Sequence, residues 1–218
     1  MKLHRTKQRS HALTLLEVMV VILALAVLAA SLLPALVASM KKSQRITCVN
    51  HLMQIGLGSR IWENDHTNSH PLIVSTNLGG IAEYVERGEA FRYFQILSNE
   101  LVSPVILACP ADARQPAKDY GSSFSNTNIS YFINLAASSH PDPQTVLFGD
   151  DDFEINEVRV KSGLLEIPAN TRITWMAARH NHTGNIALGD GSVESVTGSG
   201  LRNYLQQAAL ATNRLLIP

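Results

Sequence analysis

Neither an internal repeat nor a low-complexity tract interrupts the 218 residues, so no repeat architecture is expected. The chain has no G-x-S-x-G nucleophile elbow and no D-x-D-x-D-G loop, which removes the most direct routes to a serine hydrolase or an EF-hand. A positive surplus is also missing where nucleic acid would demand one: residues 46–218 carry 11 basic against 17 acidic side chains, a balance of −6. Cysteine is scarce. Cys48 and Cys109 form an even count that permits one disulfide in an oxidising compartment and otherwise leaves two buried thiols. A bond between them would close a loop of about sixty residues, worth about 4 kcal/mol in the chain-entropy model.

Charge is absent from one long stretch in particular. Residues 18–37 are twenty uncharged, mostly apolar positions. As a helix they reach about 30 Å, one hydrocarbon thickness. Ahead of them lies a basic leader, residues 1–12, with Lys2, Arg5, Lys7 and Arg9; behind them follow Lys41, Lys42 and Arg45. The leader puts the N-terminus on the cytoplasmic side by the positive-inside rule, although the three later charges reduce the asymmetry. One acid breaks the pattern. Glu17 stands at the front of the apolar run, where a mid-membrane carboxylate would cost about 2.5–3.5 kcal/mol, so a function is expected of it. An ordinary secretory signal, with a short apolar core and a cleavage site behind it, fits less well, as does a plain single-pass anchor.

The run Ala12-Leu13-Thr14-Leu15-Leu16-Glu17 resembles the class III signal of type IV pilins and type II secretion pseudopilins, with Ala12 where that family usually has Gly and Leu13 where it has Phe. Pro34 and the following Ala35-Leu36 also match the pilin pattern. The resemblance implies cleavage between Ala12 and Leu13 by a prepilin peptidase, then N-methylation of the new terminus. It implies that Glu17 pairs with the terminal amine of a neighbouring subunit. Three further stretches resemble prepilin-like proteins of planctomycetes, verrucomicrobia and their relatives. Residues 48–57 are similar to a C-x-x-N-L-x-Q-I-G-L run, with Asn50 one place early. Residues 107–112 resemble an x-x-C-P-x-D turn around Cys109. In residues 179–194, nine positions separate His180 from Asp190-Gly191, similar to an H-x9-D-G signature.

Ile46, Val49, Leu52, Met53, Gly56, Leu57, Ile61 and Trp62 recur at three- and four-residue steps, which predicts that the helix continues with one face towards a globular head. The polar residues 63–69 and then Pro71 end it. The expected helix covers 13–65 and bends at Pro34. Downstream, residues 88–98 read as a short helix or strand with Phe91, Phe94 and Leu97 inward. Residues 128–136, 145–149 and 173–179 read as strands, 158–167 as a strand pair punctuated at Ser162-Gly163, and 201–216 as a closing helix.

Asp190-Gly191, between Ile186-Ala187-Leu188 and Val193, is a hairpin signal, because both residues tolerate the positive φ of a tight turn. His180 is then expected close to that turn, orienting it by hydrogen bonding while Asp190 caps it. Metal binding and half of a hydrolytic triad are the lesser readings. Asp150, Asp151, Asp152 and Glu154 are candidates for Ca²⁺ oxygen ligands, against a solvated acidic loop as the simpler reading. His66, His70, His140 and His182 stand in polar stretches without metal-ligand spacing and read as surface residues.

Together these readings give an α+β, pilin-like protein. Residues 1–12 are a leader, 13–40 a transmembrane helix, 41–66 its amphipathic continuation, and 67–218 a periplasmic head on a small antiparallel sheet with the hairpin motif at 180–191. The implied role is structural rather than enzymatic: a prepilin-like subunit of a type II secretion or type IV pilus-type filament. Its partners by resemblance are the prepilin peptidase, other pilin-like subunits and an inner-membrane assembly platform, with no nucleic acid. The implied location is the inner membrane, single-pass, with extraction into a periplasmic or surface filament. No cofactor is expected beyond the Ca²⁺ candidate. The competing class is a membrane-anchored periplasmic enzyme or binding protein that borrows a pilin-like anchor.

Overall fold

A run rich in Leu and Ala, the better helix formers, begins just after a residue able to cap it. In a computed structural model of the protein, which describes residues 14–138, 142–168, 170–207 and 212–218, that run opens helix α1 (Leu15–Asp65). The junction of Ala12 and Leu13, and His140, lie outside these residues. Thr14 Oγ1 accepts from the Glu17 amide at 3.3 Å, satisfying one of the free donors of the first turn. The helix continues through Pro34 as one element. It stops where Thr67 and Asn68 turn left-handed, φ 57° and 56°, and the Asn68 amide returns to the Glu63 carbonyl at 2.8 Å.

Contacts divide the chain into Met1–Lys42 and Ser43–Pro218. In the first unit the described apolar side chains are exposed, Leu23 at 67% and Leu33 at 60% among them. An 18-residue window here has mean hydropathy 2.8 with none of it buried, so the segment is long and apolar enough to cross a membrane.

In the second unit, short helices α2 (Ala82–Val85), α3 (Ala90–Ile96) and α4 (Ser98–Leu101) precede the strands. These are β1 (Tyr131–Asn134), β2 (Val146–Asp150), β3 (Phe153–Ile155), β4 (Val158–Arg159), β5 (Gly163–Pro168) and β6 (Ile173–Trp175). Helix α5 (Ala177–His180), strands β7 (Gly184–Leu188) and β8 (Val193–Val196), helix α6 (Gly198–Gln207) and strand β9 (Thr212–Ile217) complete the order. A six-stranded sheet runs β5-β9-β1-β2-β7-β8, and a three-stranded sheet runs β4-β3-β6. Every strand pairing among the described residues is antiparallel. A long apolar N-terminal helix followed by an antiparallel sheet domain is the α+β layout that the hydropathy pattern predicted.

The central strands of the larger sheet are buried on both faces. Tyr131, Ile133, Phe148 and Leu216 pack with Cys48, Leu52, Ile55 and Trp62 of α1 and with Tyr93, Phe94 and Leu97. Phe132, Val146, Ile186, Leu215 and Ile217 pack on the other side with Phe153, Trp175, Leu201 and Leu205. Period-two alternation distributes neighbouring residues to opposite faces. Val146 and Phe148 would share a face by that rule; the register shift between them against β7 sends them to different cores.

Three expectations are corrected. Residues 201–216 are not one closing helix: α6 ends at Gln207, and Thr212–Ile217 is a strand between β5 and β1. Its Leu215, Leu216 and Ile217 are all buried, so both faces of the strand meet core, and that gives an apolar run without alternation. The strand expected over 173–179 ends at Trp175, and Ala177–His180 is helical. The apolar positions of 46–62 form two stripes rather than one. Cys48, Leu52, Ile55, Ser59 and Trp62 are buried, while Ile46, Met53, Leu57 and Ile61 are 42–60% exposed. At about 3.6 residues per turn these sets lie on opposite sides of the helix.

Candidate functional site

A buried polar knot lies where α1, β2, α5 and β7 meet the Cys-Pro turn. Cys48 of α1 is bonded to Cys109, with Cα atoms 5.3 Å apart. The Cys109 carbonyl closes a turn by accepting from the Asp112 amide at 2.8 Å. The Cys109 amide donates to Ser130 Oγ at 3.1 Å, and that hydroxyl donates to Asp112 Oδ2 at 2.7 Å. The residue that leads into β1 therefore stitches that strand's start to the Cys-Pro turn.

Arg179 is the centre of charge. It lies 2.6 Å from both Asp112 Oδ2 and Asp151 Oδ1 and donates to the Ser130 carbonyl at 3.1 Å. Arg114 meets Asp151 Oδ2 at 2.6 Å from the other side. Burial works against the charge on Asp112, but Arg179, Ser130 and Arg114 together hold its carboxyl below the usual range. Burial likewise opposes the Arg179 charge, and Asp151 and Asp112 outweigh it. The geometry is that of a structural ion-pair network: each charge is paired, and Arg179 and Arg114 also donate to the Ser130 and Ile129 carbonyls.

Asp150 and His180 lie beside it. Asp150 Oδ2 accepts from the Asn185 amide at 2.7 Å and its side-chain amide at 3.0 Å, while Oδ1 is buried without a hydrogen-bond partner. Burial pushes the Asp150 carboxyl up to about 7, partly offset by Asn185 and Arg179. His180 Nε2 is 3.6 Å from Asp150 Oδ2 and 3.5 Å from Cys109 Sγ. Burial, with help from Arg45 and Arg179, pulls the imidazole down to about 4, so it is neutral at neutral pH. Cys48, Cys109, Asp150 and His180 are all buried, and their ligand atoms fall within 4.8 Å of one another.

The sequence-predicted sites are distributed differently from expectation. Asp190 and Gly191 do form the β7–β8 turn: Gly191 has φ 89°, and Asp190 Oδ1 accepts from the Ser192 amide at 2.8 Å. His180, however, does not orient that turn. It precedes β7 while Asp190 follows it, and five strand residues put those ends about 15 Å apart. Its carboxylate neighbour is Asp150. The turn is instead held by Arg60 of α1, which donates to the Gly189 carbonyl. The acidic run is not a solvated loop either: Asp150, Asp151 and Asp152 are 1%, 3% and 5% exposed. Nor do the four carboxylates converge as one ligand set, since Asp151 faces the two arginines, Asp152 faces Arg159 at 3.8 Å, and Glu154 lies along β3 opposite Arg159 and Thr174. His70 is buried rather than superficial, with Nε2 3.3 Å from the Tyr93 hydroxyl and 3.5 Å from Glu63 Oε1. Glu17 lies exposed in the first turn of α1, where a negative charge suits the helix dipole.

Arg179, Asp112, Ser130 and Asn185 carry the knot but drew no role from sequence reasoning. The one usable signal was adjacency, since Arg179 and Asp112 lie inside the His180 and Cys109 motifs. Comparison with known proteins returns no family model, no curated protein and no solved structure that matches the chain.

Proposed function

We propose that the chain is a pilin-like structural subunit, anchored by the first part of α1 and drawn into a type II secretion or type IV pilus-type filament. One observation carries the reading: α1 bears an apolar surface that its own fold does not cover. Residues 18–37 are exposed and mostly apolar, and the stripe of Ile46, Met53, Leu57 and Ile61 continues that character on the side opposite the sheet. An anchor alone requires only the membrane-length part. A second apolar stripe beyond it suits packing against α1 of neighbouring subunits.

In this reading a prepilin peptidase cuts between Ala12 and Leu13, the new terminus is methylated, and Glu17 meets the amine of an adjacent subunit in the filament core. The head is periplasmic, and an inner-membrane platform feeds subunits from the bilayer. The buried knot is a structural lock and performs no turnover.

The test separates the charge of Glu17 from its capping position. Glu17→Ala should leave the chain in the membrane fraction but remove it from sheared or purified filaments. Thr14→Ala, which removes the cap alone, should still be incorporated. Undiminished incorporation of Glu17→Ala defeats the reading.

A further inference from the structure

We propose that Cys48, Cys109, Asp150 and His180 are a zinc site of the reduced chain, so that one buried cluster closes either by a disulfide or by a metal ion. Two thiolates, an imidazole and a carboxylate form a mixed soft and borderline donor set of four, which suits tetrahedral Zn²⁺. All four residues are buried, and their donor atoms lie within 4.8 Å of one another. With Zn–S near 2.3 Å and Zn–N or Zn–O near 2.0 Å, a tetrahedral site has S···N edges of about 3.5 Å and N···O edges of about 3.3 Å. The Cys109 Sγ to His180 Nε2 distance matches at 3.5 Å, and the Asp150 carboxylate comes within 3.6 Å of His180 Nε2 through Oδ2, the oxygen that Asn185 holds, with Oδ1 left for the metal. The sulfur–sulfur edge is far from its metal-bound length: it is covalent at present, 2.08 Å, and would open to about 3.7 Å.

A second observation points to a ligand independently. Asp150 is 1% exposed, and its Oδ1 has no hydrogen-bond partner. A buried carboxylate oxygen in that condition is costly. Asn185 fixes the other oxygen through its backbone and side-chain amides, and Ser195 Oγ in turn donates to Asn185 Oδ1 at 2.5 Å. Such outer partners orient a ligating carboxylate and raise metal affinity. Zn²⁺ with two thiolates, one carboxylate and a neutral imidazole leaves a charge of −1, next to the guanidinium groups of Arg179 and Arg45.

The chemistry balances in two steps. A dithiol reductant attacks the Cys48–Cys109 bond, becomes a disulfide itself, and leaves two thiols. Zn²⁺ then replaces the two thiol protons, which pass to solvent as two Zn–S bonds form. A disulfide oxidant reverses the sequence: it exchanges with the two thiolates, is itself reduced to a dithiol, re-forms the Cys48–Cys109 bond and releases Zn²⁺.

The experiment uses the full chain in detergent, oxidised or reduced with a phosphine, titrated with Co²⁺ as a spectroscopic stand-in for Zn²⁺. The reduced chain should take up one Co²⁺, with thiolate charge-transfer and tetrahedral ligand-field bands that Zn²⁺ abolishes. X-ray absorption should count two sulfur and two nitrogen or oxygen ligands. The oxidised chain should bind at least a hundredfold more weakly, and His180→Ala and Asp150→Asn in the reduced chain at least tenfold more weakly, whereas His182→Ala should bind as the parent. If a variant fails to fold, the parent chain decides alone, through the ligand count and the loss of metal on reoxidation. Equal binding by oxidised and reduced chains, no tetrahedral band on reduction, or a ligand shell without two sulfurs overturns the proposal.

Discussion

Arg179 shows how one side chain can hold three segments together. Its guanidinium joins Asp112 of the Cys-Pro turn, Asp151 behind β2 and the Ser130 carbonyl before β1. Arg179→Met should destabilise the fold by about 3 kcal/mol, because it leaves buried carboxylates short of a partner. The midpoint of denaturant unfolding measures it, and adding Asp112→Asn should recover part of the loss. His70 makes a second residue-scale prediction. Burial lowers its pKa from 6.5 to about 4, although the Glu63 carboxylate at 3.5 Å pulls the other way. The unfolded chain therefore takes up this proton first as pH falls, so the stability due to neutral His70 is complete above pH 6.5 and drains away towards pH 4, by about 3 kcal/mol. His70→Gln should flatten the unfolding midpoint across that interval relative to the parent.

At the scale of elements, α1 was the part most legible in the sequence. Apolar length and the polar run after Trp62 specify a helix through local interactions alone, and α1 ends at Asp65 where those signals place it. Which face meets the head was not legible, because Leu52 and Leu57 are alike in sequence and only the sheet decides between them. Strand β9 was misread for a related reason: Leu215-Leu216-Ile217 has no period of its own, and its pairing partners lie dozens of residues earlier. The knot was half legible. Its cysteines, Asp150 and His180 were all singled out, but the pairing of His180 with Asp150 rather than Asp190 is a product of sheet register. Two substitutions test this level. Leu57→Lys should leave the unfolding midpoint within about 0.5 kcal/mol of the parent yet reduce filament incorporation. Gly184→Val places a Cβ 2.5 Å from the Trp175 ring and should cost about 1–3 kcal/mol, with loss of near-UV tryptophan dichroism.

For the whole molecule, the disulfide ties the helix to the sheet domain across 61 residues of sequence. Reducing it without metal present should lower stability by about 4 kcal/mol in the chain-entropy model, read from paired denaturation curves with and without reductant. The position of β9 adds a constraint of time rather than energy. Residues 212–217 lie in the interior of the six-stranded sheet, flanked by β5 and β1. At ordinary synthesis rates the ribosome needs on the order of 10 s to travel from residue 109 to residue 217. Throughout that interval Cys48 and Cys109 are both already made while the sheet still lacks an interior strand. The nascent head can therefore be cross-linked before it can be folded, with the edges of β1 and β5 open until the last strand arrives.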